Sequence, residues 1–89
     1  MKIGFKASFQ KDLKSLHNDA KLFARIKDTI LLIETSSDID AIANVKKLKS
    51  DGPYYRVRIG DYRIGVLIED NTVVFVRILH RSRIYRYFP

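Results

Sequence analysis

Residues 54–80 read YYRVRIGDYRIGVLIEDNTVVFVRILH, and the alternation inside this stretch decides the fold. Gly60-Asp61 sits between two runs in which apolar and polar residues alternate, the signature of a β-hairpin with a two-residue turn. Such a turn sets Ile59 opposite Tyr62, Arg58 opposite Arg63 and Val57 opposite Ile64. Successive side chains on a strand point to opposite faces, so Tyr55, Val57, Ile59, Tyr62, Ile64, Val66 and Ile68 share one face. That face is almost wholly apolar and needs helices to cover it. The other face carries Arg56, Arg58 and Arg63 at one end.

Arg58 directly opposite Arg63 is a like-charge pair, which destabilises a sheet by some tenths of a kcal/mol. Glu69 shares the face but lies about six residues up the strand from Arg63, roughly 20 Å at the strand rise. The pair is therefore uncompensated on a rigid support, as expected where an external anion supplies the missing charge. A second turn at Asp70-Asn71 sets Glu69 opposite Thr72 and leads into a strand from Val73 to Leu79. This register carries His80 beyond Ile78 onto the arginine face, near Arg58 and Arg63. Histidine is the side chain suited to proton transfer near neutrality. The same register puts Arg77 on the apolar face. Either Arg77 lies at an exposed sheet margin, or the turn is not two residues long and His80 moves with it.

The rest of the chain provides the cover. Ile3, Phe5 and Ala7 alternate with Lys2 and Lys6 as a first strand. Ser8 is placed to cap a short helix through about His17, with Phe9, Leu13 and Leu16 on one side. Asp19 is placed to cap a longer helix to about Glu34, striped by Leu22, Phe23, Ile26, Ile30 and Ile33. Between 35 and 53 the pattern is irregular, and Ile39, Ile42, Val45 and Leu48 suggest a short irregular helix. These elements predict one α+β domain over residues 1–89: a strand, a helical hairpin, a mainly antiparallel four-stranded sheet and a short C-terminal segment.

Charge points the same way. The 89 residues carry a formal charge of +7. Seven of the eight arginines lie after residue 53, whereas all nine lysines lie before it. Arginine suits planar, two-pronged contact with phosphate or carboxylate, and lysine serves as a solvated point charge. Lys46, Lys47 and Lys49 form either a solvated patch or a rim of the anion site. The tail RSRIYRYFP interleaves Arg81, Arg83 and Arg86 with Tyr85, Tyr87 and Phe88, the mixture with which proteins grip and stack exposed RNA bases. Ile84 and Phe88 can at the same time pin that tail to the core.

Several chemistries lack residues. No cysteine is present, and His17 and His80 are far apart in the chain, so a zinc-type site has no ligand set. The ten acids are scattered without the spacing of a carboxylate metal cluster, and no Gly-rich phosphate loop occurs. No metal and no cofactor are expected. Among enzyme classes, metal-free chemistry on a phosphodiester remains. No apolar run approaches the ~20 residues of a membrane span, and the N-terminus lacks the apolar stretch of a signal peptide, so a cytoplasmic location is expected.

The stretches NVKKLKS, YYRVRIGDYRIG and LHRSRIYRYFP, with FKASFQKDLKSL before them, resemble the RelE toxins of the RelE/ParE superfamily over nearly the whole chain. These are the toxin halves of type II toxin–antitoxin modules. The resemblance implies metal-free cleavage of mRNA in the ribosomal A site by attack of a 2′-hydroxyl on the adjacent phosphate. It places basic site residues at Arg56, Arg58, Arg63 and Arg81, with one of Tyr85 or Tyr87, and it likens His80 to the histidine of related branches. On this view Arg58 and Arg63 clamp the scissile phosphate, Arg81 steadies the phosphate or leaving oxygen, and His80 or Tyr85 manages protons. Arg56, Arg83, Arg86, Tyr87, Lys46, Lys47 and Lys49 contact the RNA. Some members carry lysines where this chain has Arg56 and Arg58, and arginine cannot act as a base. The resemblance also implies a RelB-like antitoxin, a monomeric free toxin and a hetero-oligomer with that partner. Two other readings stay open: a ParE-like gyrase inhibitor, and a catalytically inactive homologue that only binds its antitoxin.

Overall fold

The computed structural model describes all of residues 1–89. The first hairpin forms in the expected register: β3 (Tyr54–Ile59) pairs antiparallel with β4 (Tyr62–Glu69), with Arg58 opposite Arg63 and Val57 opposite Ile64. Gly60 takes a φ of 56° at the turn, a left-handed conformation that costs glycine little. The second turn also has two residues. Asp70 (φ 50°) and Asn71 (φ 59°) both adopt left-handed conformations, and Glu69 faces Thr72 at the start of β5 (Thr72–His80).

The sheet has five strands in the order β1-β5-β4-β3-β2, one more than expected. β1 (Lys2–Phe5) runs parallel to β5 at one edge. The additional strand is β2 (Val45–Lys47), paired antiparallel with β3 at the other edge. The helical turn expected in this region shrinks to a 3₁₀ turn at Ile39–Ala41, after which Ile42 is buried. A three-residue strand is too short to show a period of two, so only its ladder with β3 makes it a strand.

α1 (Ala7–Ser15) and α2 (Ala20–Thr35) cover the apolar face. Asp19 caps α2 as expected, its Oδ1 accepting from the Leu22 N–H at 3.1 Å. Ser8 does not cap α1, which already begins at Ala7; its hydroxyl donates instead to the Val76 carbonyl at 2.6 Å. The core beneath the helices contains Phe9, Leu22, Ile26, Ile33, Val57, Ile59, Ile64, Val66, Val73, Phe75 and Ile78. Opposite it, α3 (Ile84–Tyr87) presses Ile84 and the adjoining Phe88 onto Leu79, Val76, Tyr54 and Leu48 in a second, smaller core. The arginines thus occupy one end of this face, and the tail, pinned by Ile84 and Phe88, covers the rest.

β5 carries the one irregularity that redirects side chains. Val66 pairs with Phe75 but Gly65 pairs with Arg77, leaving Val76 as an extra residue. Both Val76 and Arg77 then face the α3 side, Ile78 returns to the helices and Leu79 joins the smaller core. The cause is visible beyond β1, which pairs with β5 only as far as Phe75. From there α1 takes over the open edge. Lys6 N–H donates to the Phe75 carbonyl at 2.9 Å. Ser8 satisfies Val76, and Asp12 Oδ2 accepts from the Ile78 N–H at 3.1 Å. Asp12 also receives Arg77 Nε at 2.7 Å and Arg77 Nη2 at 3.0 Å. Without the extra residue, Arg77 would point into the apolar core with no partner.

The hydrogen bond to Asp12 raises the Arg77 pKa above its ordinary value, with attraction to Asp12 and Tyr87 adding to it and desolvation opposing it. A raised folded-state pKa stabilises below the unfolded value and is lost only as pH climbs through the folded one, so neutral to mildly alkaline pH leaves the fork intact. Asp12→Ala should destabilise by about 2 kcal/mol, less than a fully buried pair because both side chains keep some exposure. Denaturant titration checks this, and an unchanged midpoint would refute it.

Candidate nucleic-acid interface

The arginine face extends further than the hairpin alone, because β2 adds a third strand to it. Lys46 stands directly opposite Arg56, as Arg58 stands opposite Arg63. Two like-charge pairs therefore occupy adjacent rows on β2, β3 and β4. Only two ion pairs occur in the molecule, Arg77–Asp12 and a loose 3.9 Å contact between the exposed Arg81 and Asp61. Arg56, Arg58 and Arg63 have no carboxylate partner.

Their positions are set by oxygen atoms that carry no full charge. Arg63 Nη1 donates to the carbonyls of Gly60 at 2.8 Å and Tyr62 at 2.9 Å, so both its hydrogens are engaged by the turn. The Nε–Nη2 edge has no protein partner, and it is an edge able to meet two phosphate oxygens at once. Arg56 Nη1 reaches the Asn44 carbonyl at 3.3 Å, and Arg58 Nη2 reaches Asn44 Oδ1 at 3.4 Å. Asn44 also accepts from the Arg58 backbone N–H at 2.9 Å. Asn44 thus steadies two arginines, a role that sequence reading missed. Its left-handed backbone (φ 70°) is one that asparagine tolerates better than most residues, but nothing local in the sequence marks it.

Tyr85 stands over the same region. With Lys46, Lys47, Lys49 and Arg56 it lines an open depression of about 210 Å³. The residue is 57% exposed, enough for a base to stack on its ring. The lysine patch is therefore contiguous with the arginine face and not separate from it. Arg81 is brought to the hairpin end of the sheet, its backbone N–H donating to the Asp61 carbonyl at 2.7 Å. Arg86 is exposed on α3 without an ion-pair partner. Arg83 and Tyr87 go elsewhere, to the side of α3 where Arg77 lies.

His80 is placed differently from expectation. The extra residue at Val76 reverses the alternation after it, so His80 pairs with Tyr62 in the ladder and leaves the face of Arg58 and Arg63. Its ring meets the Tyr62 ring edge-on, with centroids 5.5 Å apart. Nδ1 accepts from the Ser82 N–H at 3.2 Å and contacts Ser82 Oγ at 2.9 Å. A neutral histidine has one acceptor nitrogen, and here it is already occupied.

Comparison with known proteins agrees with this architecture. Residues 3–85 match the family described as ParE toxin of type II toxin-antitoxin system, parDE. Toxin RelE3 of Methanocaldococcus jannaschii is 42% identical over 90 residues, spanning 100% of both chains. A chain of the RelB-RelE antitoxin-toxin complex from Methanococcus jannaschii superposes with a TM-score of 0.80 at 40% identity, covering 97% of this chain and 99% of that one. YafQ from E. coli shares the fold with a TM-score of 0.72 at 22% identity, covering 90% of this chain and 92% of its own. The five-stranded sheet, the basic face and these matches agree: the chain belongs to the RelE/ParE superfamily of type II toxin–antitoxin toxins, as a RelE-like member.

Proposed function

We propose that this toxin is a metal-independent mRNA endoribonuclease that arrests translation at the ribosomal A site. The observation that carries the reading is the paired cation rows, Lys46 with Arg56 and Arg58 with Arg63, none of the arginines having a carboxylate partner. Phosphodiesters complete such a surface. In the reaction the 2′-oxygen bonds to the adjacent phosphorus and loses its proton. The bond from phosphorus to the 5′-oxygen breaks, and that oxygen gains a proton. The products are a 2′,3′-cyclic phosphate and a free 5′-hydroxyl. Arg58 and Arg63 clamp the phosphate and meet the charge that builds on it, and Arg81 steadies the phosphate or the departing oxygen. Arg56, Arg86 and the three lysines hold the flanking backbone.

Arginine keeps its proton throughout, so another group must exchange it. Tyr85 fits this role better than His80, because Tyr85 adjoins Arg56 and Lys46 whereas His80 stands on the other side of the sheet. Acid–base groups contribute about 100- to 10,000-fold, so Tyr85→Phe should lower the cleavage rate by at least about 100-fold and His80→Ala by less than about tenfold. Single-turnover cleavage of an mRNA oligonucleotide on programmed ribosomes measures both. The reverse order would return the proton to His80.

The deciding experiment maps mRNA 5′ ends after induction, and in vitro with and without ribosomes. Cuts at codon positions that require the ribosome support the reading. The match to the ParE description favours a second reading, inhibition of DNA gyrase. Loss of supercoiling with an SOS response and intact mRNA would establish that one instead. Normal growth and intact mRNA on expression would indicate a protein that only binds its partner. The M. jannaschii relative is found in a complex with RelB. A RelB-like antitoxin with an acidic segment is the proposed partner here, and its capture by a +7 toxin should slow as salt rises.

A further inference from the structure

α3 sends its two tyrosines to different places. Tyr85 borders the lysine-lined depression, whereas the Tyr87 ring lies near two guanidiniums, Arg77 Cζ at 5.4 Å and Arg83 Cζ at 5.6 Å. Beside Arg77 and Arg83 is a separate open depression of about 440 Å³, whose polar lining is Ser8, Lys11, Asp12, Ser15, Arg77 and Arg83. Its one acid is already occupied. Asp12 Oδ2 receives Arg77 Nε and the Ile78 N–H, and Oδ1 receives Arg77 Nη2. Both serine hydroxyls donate inward, Ser8 to the Val76 carbonyl and Ser15 to the Asp12 carbonyl. Arg77 keeps Nη1 free. The side chains of Lys11 and Arg83 have no hydrogen bond or ion pair with any protein group, so two unmatched cations line the depression.

We propose that this depression is a second RNA-backbone site, taking phosphodiesters of a segment outside the one held by Arg56, Arg58 and Arg63. The proposal rests on the RNA-cleaving reading and adds a separate contact to it. The chemistry favours a phosphodiester. Arg83 stands against an aromatic ring that limits its freedom, and a planar guanidinium in that state offers two parallel donors to phosphate oxygens. Asp12 is neutralised by Arg77, so an approaching anion meets no net negative group. Unmatched cations on both sides of α3 suit a ligand whose charges repeat along its length, as a nucleic-acid backbone does.

The test uses the full-length protein and a fluorescent single-stranded RNA of about 20 nucleotides, fully 2′-O-methylated so that it cannot be cut, titrated across a salt series. In the Lys11→Gln/Arg83→Gln double variant the slope of log affinity against log salt should become shallower by about 1.4, two contacts at about 0.7 each. Lys2→Gln/Lys27→Gln removes the same charge elsewhere and should leave the slope at the wild-type value. Arg83→Lys should keep the slope but recover only part of the affinity, because lysine lacks the fork. Lys11 and Arg83 are exposed and their side chains make no protein hydrogen bonds, so the variants should melt with the wild type.

An unchanged slope in the double variant overturns the proposal. So does loss of binding to an oligoglutamate peptide in that variant with the RNA slope intact, which would make the depression a site for an acidic protein. The readout is independent of cleavage. A wild type that cuts no mRNA while the slope falls defeats the nuclease reading and leaves this site standing. A wild type that cuts while the slope holds defeats this site alone.

Discussion

Arg63→Ala should abolish growth arrest on induction while the purified protein melts within a few degrees of wild type. The two halves of this expectation have separate causes. Arg63 is only partly buried, and its bonds run to the carbonyls of Gly60 and Tyr62 at a surface turn where water can replace it. Its loss also removes the repulsion from Arg58 directly opposite, worth some tenths of a kcal/mol, so the net change in stability should stay below about 1 kcal/mol. The activity is different. Removing one fixed donor from a developing oxyanion lowers rates by about 100- to 1,000-fold. Arg63→Lys should fall between the two, because lysine restores the charge but cannot hold two phosphate oxygens while its nitrogen also serves the turn. The measurements are growth after induction, end-mapped mRNA cleavage and a thermal melt. Undiminished arrest by the alanine variant would remove Arg63 from the site.

Gly65→Ala should be the most damaging small substitution in the chain. A Cβ at Gly65 would lie 2.5 Å from Cδ2 and Cγ of the Phe88 ring and 2.7 Å from Cδ1. Phe88 is 3% exposed and meets Tyr54 edge-on at 5.6 Å, so the ring has no nearby alternative position. The ring must leave. Leu79 and Ile84 then lose their cover, and a four-residue helix cannot persist without packing. Overpacking together with part of a phenylalanine's burial comes to about 3 kcal/mol, or roughly 12–24 °C in Tm for a domain of this size. Alanine in a strand would otherwise stabilise by about 0.5–1 kcal/mol over glycine, so the sign of the effect is itself diagnostic. Activity should be lost too, since Tyr85 travels with α3.

The double variant Gly65→Ala/Phe88→Ala makes the explanation testable. If the ring is the whole problem, the double variant should be no less stable than Phe88→Ala alone, a strong departure from additivity. Fully additive losses would show that Gly65 matters for some reason other than Phe88. A Gly65→Ala protein of wild-type stability would contradict the seating of the tail altogether.

Much of the site was legible because it depends on short-range geometry. Two-residue turns at Gly60-Asp61 and Asp70-Asn71 set the registers, and strand alternation then put Arg56, Arg58 and Arg63 on one face opposite Val57, Ile59 and Ile64. The Asp19 cap and the apolar stripe of α2 were legible for the same reason, since every partner lies within a few residues. His80 was misplaced because alternation holds only while the ladder is regular, and one extra residue at Val76 inverts everything after it. The symptom was present in the sequence, as the regular register set a charged Arg77 in the core. Its resolution was not, because Asp12 is 65 residues away from Arg77.

The chain's own order of residues, then, determined the two hairpins, the helices that cover them and the accumulation of unpaired arginines near one turn, because turns, caps and alternation are interactions among neighbours. Tertiary structure alone decided that Val45–Lys47 forms a fifth strand, that Asn44 steadies two arginines, that α1 takes over the edge of β5, and that Tyr85 and Tyr87 part to opposite sides of α3. Each of these depends on groups distant in sequence satisfying one another's hydrogen bonds or filling one another's space, and no local pattern encodes which distant group that will be.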